Sequence, residues 1–138
     1  MNYLVDTNVL CEPRQKKPEP KVLQWLTEHE ADLYTSVLVM GEIRYGIELL
    51  PANSAKRKDL FDWYEKLLTI MSGRILSVNE RVASEWGLLQ AAVQAKKRTL
   101  PVVDSLIAAT ARRYQMTIAT NNVSDFLLTG AKVINPFN

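Results

Sequence analysis

Short apolar runs recur along this chain, and each is followed by a stretch with helical spacing. Tyr3-Leu4-Val5, Leu33-Tyr34-Thr35, Arg74-Ile75-Leu76-Ser77-Val78, Thr117-Ile118-Ala119 and Lys132-Val133-Ile134 all read as strands of three to five residues. The runs are apolar on both faces, which marks strands covered by helices on either side. Between them, Pro18 and Pro20 open a helix through Val22, Leu23, Trp25 and Leu26. Ser36 caps a second helix that Pro51 stops, and Lys56 to Met71 is amphipathic, with Leu60, Tyr64, Leu67 and Met71 on one stripe. Asn79 caps a helix carrying Val82, Trp86, Leu89 and Val93, and Pro101 starts another that runs to Tyr114. Strands alternating with helices can pair only in parallel, so the expected fold is α/β: a central five-stranded parallel sheet flanked by helices. At 138 residues, with no linker or repeat, residues 1–138 form one domain.

Several chemistries are excluded early. No apolar run reaches the roughly 20 residues a membrane helix needs. The N-terminus lacks the basic-then-apolar pattern of a signal peptide. The single cysteine, Cys11, can form no internal disulfide, so a reducing cytoplasm is the expected compartment. The single histidine, His29, lies among Glu28, Glu30 and Asp32 and reads as an exposed helix end, which leaves no pair of histidines for acid–base ribonuclease chemistry.

The acidic residues are more informative. In an open parallel sheet, ligands bind beyond the carboxyl ends of the strands. Asp6 ends the first strand, and Asp125 follows the fourth in a turn that Ser124 is placed to cap. Asp104 lies in the first turn of the helix opened by Pro101. Glu42 shares a helix face with Leu38, Tyr45 and Leu49, where a buried carboxylate would need a partner or a metal. Gly41 beside it leaves room for a ligand. Each residue alone has a plain structural explanation, such as a turn, a helix dipole or a pairing of Glu42 with Arg44 or Arg74. Four carboxylates converging on one edge require a cation. An oxygen-only ligand set without His or Cys selects Mg²⁺ or Mn²⁺ over zinc, and phosphodiester hydrolysis is the natural reaction.

Charge bookkeeping agrees. The net charge is only +2, but with those four acids set aside 11 acidic residues stand against 17 basic ones, a balance of +6. An acidic centre in a basic body suits a polyanion. Lys96, Lys97, Arg98, Arg112 and Arg113 are the candidate RNA phosphate contacts, unless these runs are simply solvated helix ends.

In order, Leu4-Val5-Asp6-Thr7-Asn8, Thr35-Ser36 with Gly41-Glu42-Ile43, Asp104-Ser105-Leu106-Ile107-Ala108-Ala109-Thr110, and Ala119-Thr120-Asn121-Asn122 through Asp125-Phe126 resemble the four motifs of PIN-domain nucleases. The size resembles the VapC-type toxins, and Glu12-Pro13 with the closing Asn135-Pro136-Phe137 resembles the FitB-like branch. The resemblance implies a Mg²⁺-dependent endoribonuclease that is the toxin of a toxin–antitoxin pair. It also implies a homodimer inhibited by a cognate VapB-like antitoxin, with operator DNA bound only through the antitoxin complex. Carried over, Asp6, Glu42, Asp104 and Asp125 are the catalytic acids. Asp6 and Asp104 hold the metal, Glu42 and Asp125 do so directly or through water, and Asn8 and Thr120 orient carboxylate or water. Where the family often reads Thr-Arg-Asn, position 121 is Asn. The alternative that follows from this departure is a catalytically weak PIN-fold subunit acting as a binding partner in a regulatory complex.

Overall fold

The structure, a computed structural model, describes residues 1–138. Five strands form one all-parallel sheet: β1 (Tyr3–Val5), β2 (Leu33–Ser36), β3 (Ile75–Leu76), β4 (Thr117–Ala119) and β5 (Val133–Ile134). Seven helices connect them: α1 (Thr7–Leu10), α2 (Pro20–Glu28), α3 (Val37–Glu48), α4 (Ala55–Ile70), α5 (Glu80–Ala95), α6 (Val102–Arg113) and α7 (Val123–Leu127). No helix is long and apolar enough to cross a membrane.

The helix starts follow from local chemistry. Ser36 Oγ accepts from the Leu38 amide at 3.0 Å and Asn79 Oδ1 from the Val82 amide at 3.0 Å, so both expected caps form. Ser54 caps α4 in the same way, accepting from Arg57 N–H at 3.1 Å. Each cap satisfies an amide that has no partner inside its helix. Ser124 does not cap α7; it lies inside that helix, and Asn122 precedes it without a side-chain cap. The third strand is two residues long, because Arg74, Ser77 and Val78 fall outside the ladder.

Strand order is β3-β2-β1-β4-β5. The chain therefore builds outward from β1 to β3 and then returns across the sheet to place β4 on the other side of β1. That reversal opens a crevice at the carboxyl ends of β1 and β4, where ligands bind in such sheets. β1 and β4 are buried throughout. Leu4, Val5 and Ile118 are fully enclosed together with Val9, Val39, Ile107 and Phe126. Ala108, Ala109 and Ala111 are also fully buried, and their small side chains let α6 lie close to the neighbouring layer.

His29 is not an exposed charged residue. It terminates α2, its ring stacks on Trp25 at 4.7 Å, and Tyr3 meets it edge-on at 5.1 Å. The aromatic cluster anchors α2 at the start of β1, the end of the strand away from Asp6.

Candidate active site

Parallel register assembles the centre of the site. Val5 of β1 pairs with Ala119 of β4, so the next residues, Asp6 and Thr120, emerge side by side. Asp6 is buried, and both its oxygens are engaged. Oδ1 accepts from the Thr7 amide at 2.9 Å, which makes Asp6 the N-cap of α1. Oδ2 accepts from Thr120 Oγ1 at 2.8 Å and from Asn8 Nδ2 at 3.2 Å. Asn8 Nδ2 also donates to Thr120 Oγ1 at 3.2 Å, and Asn8 Oδ1 accepts from the Asn121 amide at 3.0 Å. A closed polar clasp thus joins the ends of β1 and β4 and fixes the Asp6 carboxylate.

Glu42 reaches the site from α3. Its Oε1 accepts from Thr7 Oγ1 at 2.8 Å. The sequence places Glu42 on a buried apolar stripe, and the structure overturns this. Tyr45 is 67% and Leu49 68% exposed, and Glu42 is itself exposed. The face of α3 that packs inward carries Val39, Met40, Ile43 and Ile47. Both faces of α3 are apolar, so periodicity alone selects neither. Glu42 is spared a full desolvation penalty and stays available to a ligand.

Asp104 stands in the first turn of α6, partly buried. Burial, followed by the charges of Asp6, Glu42 and Asp125, pushes its carboxyl up to about 6, and no hydrogen bond opposes that shift. Asp125 sits on α7 with Oδ2 accepting from Asn122 Nδ2 at 3.0 Å. It does not line the cavity, but its charge is felt at Asp104.

Asp6, Glu42 and Asp104 line one open cavity of about 610 Å³. Glu12 adds a fourth carboxylate, and no Lys or Arg lines it. Thr7, Gln15, Asn122 and Phe137 also face it, although the sequence reading singled out none of them. Thr7 was legible only as the middle of Asp6-Thr7-Asn8. Phe137 arrives from the far end of the chain, held by an amide bond to Asn135 Oδ1 at 3.0 Å. Burial and the charges of Glu42 and Asp6 push the Cys11 thiol up to about 11, so it is neither a thiolate ligand nor a nucleophile at neutral pH.

No three of these groups form a closed metal cage. The donor chemistry nonetheless fits a hard cation. All donors are oxygens, and the elevated Asp104 carboxyl reports carboxylates repelling one another. Mg²⁺ takes one or two carboxylates and retains its waters, so an open, wet cavity suits it better than a cage.

The basic candidates separate. Lys96, Lys97 and Arg98 lie in the turn before α6, at the same end of that helix as Asp104. Arg112 and Arg113 close the same helix, about 12 Å further along its axis. Arg112 pairs with Glu85 at 2.9 Å and donates to the Thr129 carbonyl at 2.9 Å, while Arg113 lies over the Tyr114 ring. The structure does not bring these two arginines to the carboxylates.

Residues 3–127 match the PIN domain family. The chain belongs to the PIN domain family. This PIN domain is 32% identical to Toxin FitB of Neisseria gonorrhoeae over 137 residues, covering 98% of each chain. It is 29% identical to the VapC ribonuclease Y4jK of Sinorhizobium fredii, covering 97% of this chain and 96% of that one. It superimposes on a chain of the solved structure of FitAB bound to an IR36 DNA fragment with a TM-score of 0.92 and 33% identity, covering 99% of this chain and 96% of that one.

Proposed function

We propose that this PIN domain is the toxin of a toxin–antitoxin pair and acts as a metal-dependent endoribonuclease. The observation that carries the reading is the acidic cavity at the sheet reversal. Asp6, Glu42 and Asp104 reach it from three distant segments, and no cation of the protein balances them. PIN-domain ribonucleases in general depend on a divalent metal. Here Asp6 and Asp104 would hold Mg²⁺, with Mn²⁺ able to replace it, and Glu42 and Asp125 would assist directly or through water. Such a cation, when bound, polarises the phosphodiester and lowers the pKa of an attacking water.

The protein's own part is positioning. The amide of Thr7 and the side chains of Asn8 and Thr120 hold both Asp6 oxygens in place before any ligand arrives, and Thr7 Oγ1 ties Glu42 to the same turn. Thr120 Oγ1 must point its proton at Asp6, because it already accepts from Asn8 Nδ2 and from the Asn122 amide at 3.0 Å. Lys96, Lys97 and Arg98 are placed to draw single-stranded RNA toward this end of α6. Arg112 and Arg113 would meet only a longer substrate.

The partner is a VapB-like antitoxin, in keeping with the FitAB complex that the fold matches. Operator DNA is bound through that complex. Tyr45, Leu49, Leu88 and Val102, all more than half exposed, supply apolar surface for a homodimer.

The test is cleavage of total RNA by the purified chain. Cleavage is expected with Mg²⁺ or Mn²⁺ and is lost in excess chelator. Undiminished cleavage in chelator, or none with either ion, would overturn the reading.

A further inference from the structure

A second cleft opens from the carboxylate cavity. It lies between α3 and α4 and encloses about 260 Å³. Thr7, Cys11, Gln15 and Glu42 line both spaces, so the two are continuous. Their chemistry differs sharply. The cavity is acidic, whereas the cleft has apolar walls: Ile43 and Ile47 from α3, Leu60 and Trp63 from α4. Gly46 forms part of its mouth, and a Cβ placed there meets nothing within 4 Å. Two cations, Arg14 and Lys56, stand at the cleft. Arg14 is shared with Asp59, while Lys56 takes part in none of the ion pairs of the molecule.

We propose that this cleft is a nucleobase subsite, taking the base of the nucleotide next to the scissile phosphate of single-stranded RNA. The inference rests on the ribonuclease reading above and adds where the substrate's base goes. An acidic, cation-requiring cavity adjoining an apolar slot with an aromatic wall and a basic edge matches a nucleotide group by group. The scissile phosphate lies at the carboxylates, the planar base against the Trp63 indole, and the flanking phosphate near Lys56. Unpaired bases are recognised by such stacking on aromatic side chains. The volume falls below the roughly 300–1,000 Å³ that holds a drug-sized ligand. One heterocycle fits, whereas a helix from a protein partner would require a longer trough.

The experiment compares wild type with Trp63→Ala, Trp63→Phe and Gly46→Leu. Each cleaves a randomised single-stranded oligoribonucleotide pool with Mg²⁺, the new ends are sequenced, and KM and kcat are measured on the preferred oligonucleotide. Loss of one stacked base predicts that Trp63→Ala raises KM by roughly 5- to 150-fold. It also flattens base preference at one position beside the cut and leaves kcat nearly unchanged, while Trp63→Phe restores most of both. Gly46→Leu fills the mouth of the cleft without meeting backbone, improves helix propensity, and reproduces the KM effect in a protein at least as stable as wild type. Wild-type KM and base profile in both Trp63→Ala and Gly46→Leu would overturn the subsite. If those variants keep normal RNA kinetics but escape inhibition by the antitoxin, the cleft is a protein-docking surface and the proposal is wrong. If the wild type cleaves no RNA at all, the ribonuclease reading and the subsite fall together, which separates that failure from failure of the subsite alone.

Discussion

Asp6 and Asp104 face the same cavity and are held in opposite ways. Asp6 is buried with three donors on its two oxygens. Asp104 lies nearer solvent, yet burial and three neighbouring carboxylates act on it without a compensating donor. One carboxylate is anchored by the fold, and the other carries the repulsion of the group. The difference teaches that geometry and charge are supplied by separate parts of this site. The β1–β4 clasp fixes position, and the first turn of α6 supplies a negative charge whose ionised form favours a cation.

The largest expected break in that comparison is Asp6→Asn. Removing a partner that merely supports a metal ligand typically lowers metal affinity or activity by 10- to 100-fold, so losing the ligand itself should lower cleavage by more than about 100-fold. The amide would also set an N–H₂ group against two existing donors. Folding stability without metal should therefore fall by about 1 kcal/mol. Cleavage rates and urea denaturation check both.

Thr120→Val attacks the clasp alone. It deletes the hydroxyl that donates to Asp6 and accepts from the Asn122 amide, and it keeps every carboxylate. Activity at fixed Mg²⁺ should drop by about 10- to 100-fold and recover in part when Mg²⁺ is raised. An unchanged Mg²⁺ titration would show that the clasp does not position the ligand.

Asp104 should impose a pH dependence. With its carboxyl near 6, a proton competes with the cation. Mg²⁺ affinity should rise about tenfold from pH 5 to pH 7 and level off above, with proton release on binding measurable by calorimetry. A flat profile would mean that the Asp104 charge plays no part.

The smallest effect separates the two residues by stability. An acid whose carboxyl titrates higher in the folded chain than in the unfolded one favours folding at low pH. That contribution is lost as pH rises from about 3.8 to about 6. Asp104→Asn should therefore stabilise the metal-free protein above pH 6 and have little effect at pH 4. Allowing for solvent screening at this partly exposed position, the gain is roughly 1 kcal/mol. Thermal denaturation in chelator at the two pH values tests it, and the sign is opposite to that expected for Asp6→Asn.

The layer architecture was readable because β1 and β4 are apolar on both faces and because Ser36, Asn79 and Pro20 mark helix starts where they lie in the sequence. The acids were readable from type and position. What escaped depends on contacts between distant segments. A four-residue helix has no periodicity, so α1 looked like a turn after Asp6. Register between β1 and β4 is a pairing choice, so nothing local announced that Thr120 would lie against Asp6. Phe137 and Gln15 enter the cavity through chain path alone. Glu42 shows the complementary failure: its residue type pointed to the site, but the argument from a buried stripe chose the wrong face of α3.

The clasp also sets a schedule. Asp6 emerges almost first from the ribosome, and its hydroxyl partner lies 114 residues later. The strands between them can pair in order, but β4 must cross back over β1 and β2 before Thr120 reaches Asp6. A nascent chain therefore carries an untethered, disorganised acid cluster for nearly the whole of its synthesis. The contact that organises it is among the longest-range in the molecule and so among the last to form. A chain that attacks RNA is thus harmless to the message and ribosome producing it until its final strands have been released.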